Sequence, residues 1–245
     1  MFVFEDVKLA PADPILGLNE AFRADERTSK VNLGIGVYLD ENGQMPLMDC
    51  VRAAEDRLAA AAKPHAYLPI DGLPDYVRLV RELTFGADSP AVAQGRIATA
   101  QSLGGTGALK VGADFIATLS PGSPVLISDP SWENHRAIFT RAGFTVGTYR
   151  YYDAEAKGID VDGMVADLEA ARPGTVVVLH ACCHNPTGYD LTPEQWDRVI
   201  GVITDHDLIP FLDMAYQGFG AGVAEDGAVI SRFVAAGLQI GRAHV

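Results

Sequence analysis

The chain has 245 residues, 48% of them hydrophobic, enough to bury one large core or a core and a half. A formal charge of −13 without any basic cluster excludes a nucleic-acid surface. The start, MFVFEDVKLAP, is acidic where a secretory leader needs basic residues, and no apolar run reaches membrane-spanning length. The cysteines are Cys50, Cys182 and Cys183, odd in number and without the spacing of a zinc site. They are expected to act as small buried thiols in a reducing compartment, so the protein is expected to be cytoplasmic.

In chain order, Pro11, Pro14 and Gly17 followed by the polar run Arg23–Lys30 predict an extended arm and then a short helix. Val31–Leu39, VNLGIGVYL, reads as a short apolar strand or turn. Its Gly34 and Gly36 allow close backbone approach, at a bulge or against a ligand. Ala53–Ala62 is helical by propensity, with Arg52, Glu55 and Asp56 on its outer face. HAYLPIDGLPDY, rich in Pro and Gly, predicts a loop that carries Tyr67.

Gln101–Lys110, QSLGGTGALK, places glycines 104, 105 and 107 before an amphipathic helix, Ala108–Leu119. A glycine-rich turn feeding a helix start offers free N–H groups and the positive end of the dipole, which suits a phosphate. Ser102 and Thr106 add hydroxyls. The pattern is neither a Walker A loop nor GxGxxG, so no nucleotide is indicated. Pro124–Asp129 predicts a strand, with PSWENH at its carboxyl end carrying Trp132 and His135. Thr145–Tyr151 is a further strand and Val161–Ala171 a helix closed by Pro173-Gly174.

Thr175–Leu179, TVVVL, is the most β-prone run and leads into HACCHNPTG, where Asn185-Pro186 is a candidate cis peptide. Thr192-Pro193-Glu194-Gln195 reads as a capping box for the helix Gln195–Asp205. Leu208–Asp213 is a short buried strand that ends on an acid, with Tyr216 three residues on. In open α/β sheets ligands sit beyond the carboxyl ends of the strands, so these loops are expected to share one rim.

QSLGGTGAL, SDPSWENH, HACCHNPTG and DMAYQGFG, in that order and spacing, resemble the class I pyridoxal-phosphate aminotransferases, most closely their aspartate and aromatic-amino-acid branch. The resemblance runs from the N-terminal arm to about Gln239. It implies an α/β fold: the fold-type I large domain, a mostly parallel sheet with helices on both faces, plus the N-terminal part of the small domain. It implies residues 1–45 as arm and partial small domain and 46–239 as an incomplete large domain that binds pyridoxal 5′-phosphate.

By resemblance, Gly104, Gly105 and Thr106 would cradle the cofactor phosphate and Trp132 would stack on its ring. Asp213 would pair with the ring nitrogen and Tyr216 with the ring oxygen, while Asn185 would reach that oxygen and a substrate carboxylate. Trp132 and Gly36 would lie against the substrate. His135 would orient Asp213, with His180 supporting the network, and Tyr67 would reach the partner's cofactor across a homodimer interface. No metal is implied.

The lysine that forms a Schiff base with the cofactor in this family follows the Asp-x-Ala-Tyr motif, whereas the lysines here are 8, 30, 63, 110 and 157. The family's phosphate-binding and carboxylate-binding arginines are missing as well. The resemblance thus implies an aminotransferase parent, moving an amino group between an aromatic or acidic L-amino acid and a 2-oxo acid such as 2-oxoglutarate. The 245 residues themselves are expected to be inactive. The alternatives are a strict aspartate aminotransferase and a non-catalytic fragment that binds cofactor or partner. Residues 240–245, IGRAHV, depart from the family pattern. They can be encoded by ATC GGA AGA GCA CAC GTC, a common sequencing-adapter stretch, and are expected to be a non-native tail.

Overall fold

The computed structural model describes residues 8, 14–32, 34, 36–64 and 66–244, with 14–16 and 242–244 described by backbone alone. Apart from Lys8, the stretch ahead of Pro14 lies outside the described residues. The chain forms two compact units, Met1–Ala66 and Tyr67–Val245.

The N-terminal unit carries two helices, α1 (Pro14–Ala24) and α2 (Asp49–Ala61). Pro14 begins a helix where an arm is expected, because a proline costs a first helical turn nothing. The polar run from Arg23 lies at the end of α1 and beyond it. There Lys30 donates to the carbonyls of Phe22 (2.7 Å) and Asp25 (2.5 Å) and covers the Phe22 ring. The described part of Val31–Leu39 forms no strand; its valines and Tyr38 are exposed, so no buried face rewards pairing. Helix α2 has no buried residue.

The second unit opens with α3 (Pro74–Phe85) and the single turn α4 (Pro90–Ala93). Pro74 is the first residue of α3, so the loop stops three residues earlier than its Pro and Gly content predicts. Helix α5 (Gly104–Leu119) follows, buried at Leu109, Ala113 and Ile116, a 3.6-residue period. It begins at Gly104 rather than Ala108, so the glycines form the helix's first turn instead of preceding it.

Alternation then takes over: β1 (Pro124–Asp129), α6 (Glu133–Arg141), β2 (Thr145–Arg150), a two-residue hairpin pair β3 (Tyr152–Asp153) and β4 (Gly158–Ile159), and α7 (Val161–Glu169). After these come β5 (Val176–His180), α8 (Pro193–Asp205), β6 (Ile209–Met214), α9 (Val223–Ala235) and β7 (Gly241–His244). The main sheet has the order β2-β1-β5-β6-β7 and every pairing in it is parallel. Every carboxyl end therefore points to one rim.

Strand β5 is buried throughout. Val176 and Val178 face Leu109, Phe139 and Phe211 in one cluster, while Val177 and Leu179 face Met164, Val199 and Phe233 in the other. Successive side chains point to opposite faces. Helices α5 and α6 thus cover one face and α7, α8 and α9 the other, as a continuous apolar strand requires. Each fully buried Phe or Leu contributes about 1.5–3 kcal/mol over its exposed state. The expected capping box on α8 forms both its bonds, Gln195 N–H to Thr192 Oγ1 (3.3 Å) and Thr192 N–H to Gln195 Oε1 (2.8 Å). The backbone of Gly241–His244, in the tail that departs from the family pattern, pairs with Phe211–Met214 as the edge of the sheet.

Candidate active site

Beyond the carboxyl ends of β5 and β6 lies a cavity of about 280 Å³. Gly105, Thr106 and Leu109 of α5 line one side of it, Trp132 and Asn185 come from the loops after β1 and β5, and Asp213, Ala215 and Tyr216 from the end of β6. His180 and Cys182 complete the lining.

The α5 wall is an anion site by construction. Gly104 adopts φ +61°, and a side chain there would meet nothing within 4 Å, so the turn stands open. Gly107 N–H closes the first helical bond on Leu103, whereas the N–H groups of Gly105 and Thr106 donate to no described group. Unpaired donors at the positive end of a sixteen-residue helix favour a phosphate or carboxylate.

The opposite wall is a carboxylate. Asp213 is buried, and its Oδ2 meets His135 Nε2 at 2.8 Å while Ser131 Oγ sits 2.9 Å from His135 Nδ1. His135 is fully buried, so this chain of three fixes the carboxylate's rotation. The other oxygen, Oδ1, is buried without a partner among the described residues. An unsatisfied buried acceptor costs about 1–3 kcal/mol, more when charged, and it calls for a donor placed in the cavity. Trp132 stands edge-on to the His135 ring at 5.3 Å and contributes its surface to the cleft.

Beneath the cleft sits a second polar layer that sequence reasoning missed. His184 shares hydrogen bonds with Ser128 Oγ and Thr187 Oγ1, both 2.9 Å, and stacks on Tyr151 at 4.0 Å. Burial pushes the His184 imidazole down to about 4, against the opposing pull of Asp190, so it is neutral at pH 7. Asp190 accepts the N–H groups of Cys183 (2.7 Å) and His184 (2.8 Å), which ties down the loop carrying Asn185. Asn185-Pro186 is cis, as expected, and so is Asp129-Pro130.

Asp226, on the first turn of α9, does the same for the loop after Tyr216. It accepts from Gly218 (2.8 Å), Gly220 (3.0 Å) and Ala221 (2.8 Å). Burial raises its affinity for a proton, but these backbone bonds together outweigh that and hold the carboxyl below its usual range. The sequence analysis did not single it out; an acid four residues past a glycine-rich loop is the one signal that could have found it.

Of the residues singled out in the sequence, Gly105, Thr106, Trp132, His180, Asn185, Asp213 and Tyr216 line the one cavity, and His135 touches it through Asp213. Gly104 adjoins the lining. Tyr67 is fully exposed and does not line it. Gly36 belongs to the N-terminal unit, is exposed, and has open space about its α-carbon.

Fold and site together define an open α/β protein whose cleft sets an anion-holding helix start opposite a buried, half-satisfied carboxylate. The chain belongs to the aminotransferase class I and II family, whose profile matches residues 28–239. It is 53% identical to an aspartate aminotransferase of Pseudomonas aeruginosa, over 98% of this chain and 60% of that one. It is 50% identical to an aromatic-amino-acid aminotransferase of Escherichia coli, over 96% and 60%. A crystal structure of the aromatic-amino-acid aminotransferase from Burkholderia pseudomallei, covalently bound to pyridoxal phosphate, superposes with a TM-score of 0.97 at 56% identity, covering all of this chain and 61% of that one. The fold is thus the α/β fold of these transaminases, and the chain spans about 60% of the length of its relatives.

Proposed function

We propose that the protein to which this chain belongs is a pyridoxal-phosphate-dependent aminotransferase, acting between an aromatic or acidic L-amino acid and a 2-oxo acid such as 2-oxoglutarate. The observation that carries this reading is the unpartnered Oδ1 of Asp213, held toward the cavity by the His135 bond on Oδ2. A protonated ring nitrogen is the donor that this oxygen lacks. The free N–H groups of Gly105 and Thr106 support phosphate binding on the other side of the cleft.

In this reading the Gly104–Thr106 turn holds the phosphate, Trp132 covers the ring face, and Tyr216 and Asn185 hydrogen-bond the ring oxygen. Asn185 and Trp132 also meet the substrate. Asp213 keeps a proton at the ring nitrogen, and His135 holds Asp213 in place, with the His180 ring packed against His135 in support. When bound, the cofactor supplies a ring that takes up the negative charge left at the substrate's α-carbon. None of the cavity-lining residues is a lysine, and Lys110 on α5 is paired with Asp114 at 2.5 Å. These 245 residues therefore bind and orient; the proton-shuttling lysine of the family is not among their five.

We also infer a homodimer. Val111, Phe115 and Leu119 make an exposed apolar stripe along α5, and the adjacent Leu103 is almost wholly exposed. That stripe supports a self-associating face. Tyr67 would serve the partner's site from it. No helix among the described residues is long and apolar enough to cross a membrane. The free Cys50, Cys182 and Cys183 support a cytoplasmic home.

The test is cofactor binding read by quenching of Trp132 fluorescence, together with turnover of phenylalanine and of aspartate by the complete gene product. Asp213→Asn should abolish tight cofactor retention, while Trp132→Phe, which keeps much of the stacking surface, should weaken it mildly, with Trp196 as its only remaining indole signal. Equal small losses in both variants would remove Asp213 as the ring partner.

A further inference from the structure

His180 is the second unsatisfied group in the cleft, and a cofactor ring answering Asp213 does not account for it. Its side chain lines the cavity with 9% of the residue exposed, and neither ring nitrogen has a partner among the described residues. A neutral imidazole has one N–H and one lone pair, so this buried ring leaves both of its hydrogen-bonding positions unmet. The His135 and His184 rings stand 5.0 and 4.1 Å away. No described donor occupies the lone pair of this ring.

One ligand atom from each of His135, His180 and Asp213 lies within 4.8 Å of the other two. Two imidazoles and a carboxylate are the donor set of zinc sites that keep a fourth position open. His135 can turn its Nε2 lone pair to a metal because Ser131, at its Nδ1, has a hydroxyl able to accept as well as to donate. Among the lining residues Asp213 is the one ionisable carboxylate, so a cation there gains a charge partner. The other candidate cluster is Cys182, Cys183 and Asp226. It is the poorer one, because Asp226 is already committed to three N–H groups.

We propose that the cofactor-free cleft is a zinc site built from His135, His180 and Asp213, with the fourth position facing the cavity, and that zinc and the cofactor ring exclude one another through Asp213. The metal half stands on the geometry alone; the exclusion half rests on the proposed function.

The experiment is titration of the full chain, freed of metal by chelation, with Zn²⁺ by calorimetry and with Co²⁺ by absorption. One equivalent should bind, with visible bands of four-coordinate cobalt and no near-ultraviolet thiolate band. His180→Gln and Ser131→Ala, each checked for native circular dichroism, should weaken binding about tenfold or more, since even outer partners are worth that much. The double variant Cys182→Ala, Cys183→Ala should bind as the parent does. No uptake, a thiolate band, or unchanged affinity in folded His180→Gln would overturn the site. Bound Zn²⁺ should block quenching of Trp132 by pyridoxal phosphate, and a chelator should restore it. Simultaneous binding of both overturns the exclusion. Zinc uptake in a chain that never binds pyridoxal phosphate upholds the metal site and counts against the cofactor reading instead.

Discussion

Replacing Asp226 by alanine should destabilise the chain by about 3 kcal/mol. Three backbone N–H groups converge on this one carboxylate, two on Oδ2 and one on Oδ1. Hydrogen bonds to a charged acceptor are worth about 1.5–3 kcal/mol each, but Gly218, Gly220 and Ala221 are exposed and water can replace the lost partner, so about 1 kcal/mol per bond applies. Against a total stability of about 5–15 kcal/mol that is a large fraction. In urea it corresponds to a midpoint lowered by about 1 M or more. Asp226→Asn should lose about half as much, because one amide oxygen remains while the NH₂ faces a donor. The pH dependence has a definite sign. A carboxyl whose folded pKa lies below its unfolded value stabilises above the ordinary carboxylate range, and that stability is lost as pH falls through the folded value. Urea unfolding of both variants at pH 7 and pH 3 measures this. Equal midpoints for alanine and parent would show that the loop holds itself, and the account of Asp226 would fail.

Gly112→Ala on α5 should be costly, since a Cβ there would come within 2.7 Å of the fully buried Phe211 ring; about 1–3 kcal/mol by thermal unfolding is expected. His184, at about 4 in the folded chain, makes the unfolded state bind more protons between roughly pH 4 and 6.5. Stability should therefore fall as pH drops through that window, and His184→Asn should flatten the slope in acid titrations followed by circular dichroism. Tyr67→Phe should leave unfolding unchanged, because its side chain touches nothing buried, yet weaken cofactor retention in the assembled dimer. An active monomer in sedimentation would contradict it.

The parallel sheet was legible because its strands announce themselves: TVVVL is buried on both faces, and Thr192 and Gln195 spell their cap locally. The rim loops were legible for the same reason, each following its strand directly. What escaped depends on partners remote in the chain. The His135–Asp213 bond, which spans 78 residues, was expected from the family resemblance and not from any local pattern, whereas the Ser128–His184 bond, across 56, was not expected at all. Helix α5 was placed four residues late because glycine has poor helix propensity, whereas here it opens the turn that a ligand must approach. Helix α3 hid behind the loop signal of Pro74, which is in fact its first residue. Residues 182 and 183 showed the thiols but not their common direction.

That last feature has a practical side. Cys183 adopts φ +48°, which turns adjacent thiols that would otherwise diverge into one cluster beneath the cleft, both held protonated by burial. Alkylating reagents attack the thiolate, so near neutral pH these two react slowly. Cys50, exposed on α2 of the N-terminal unit, is then the preferred attachment point for a dye or spin probe. Without any engineered cysteine, a dye on Cys50 can accept energy from the tryptophans of the other unit, and a Trp196→Phe background leaves Trp132 as the single donor, so that the distance between the units can be measured as ligands are added.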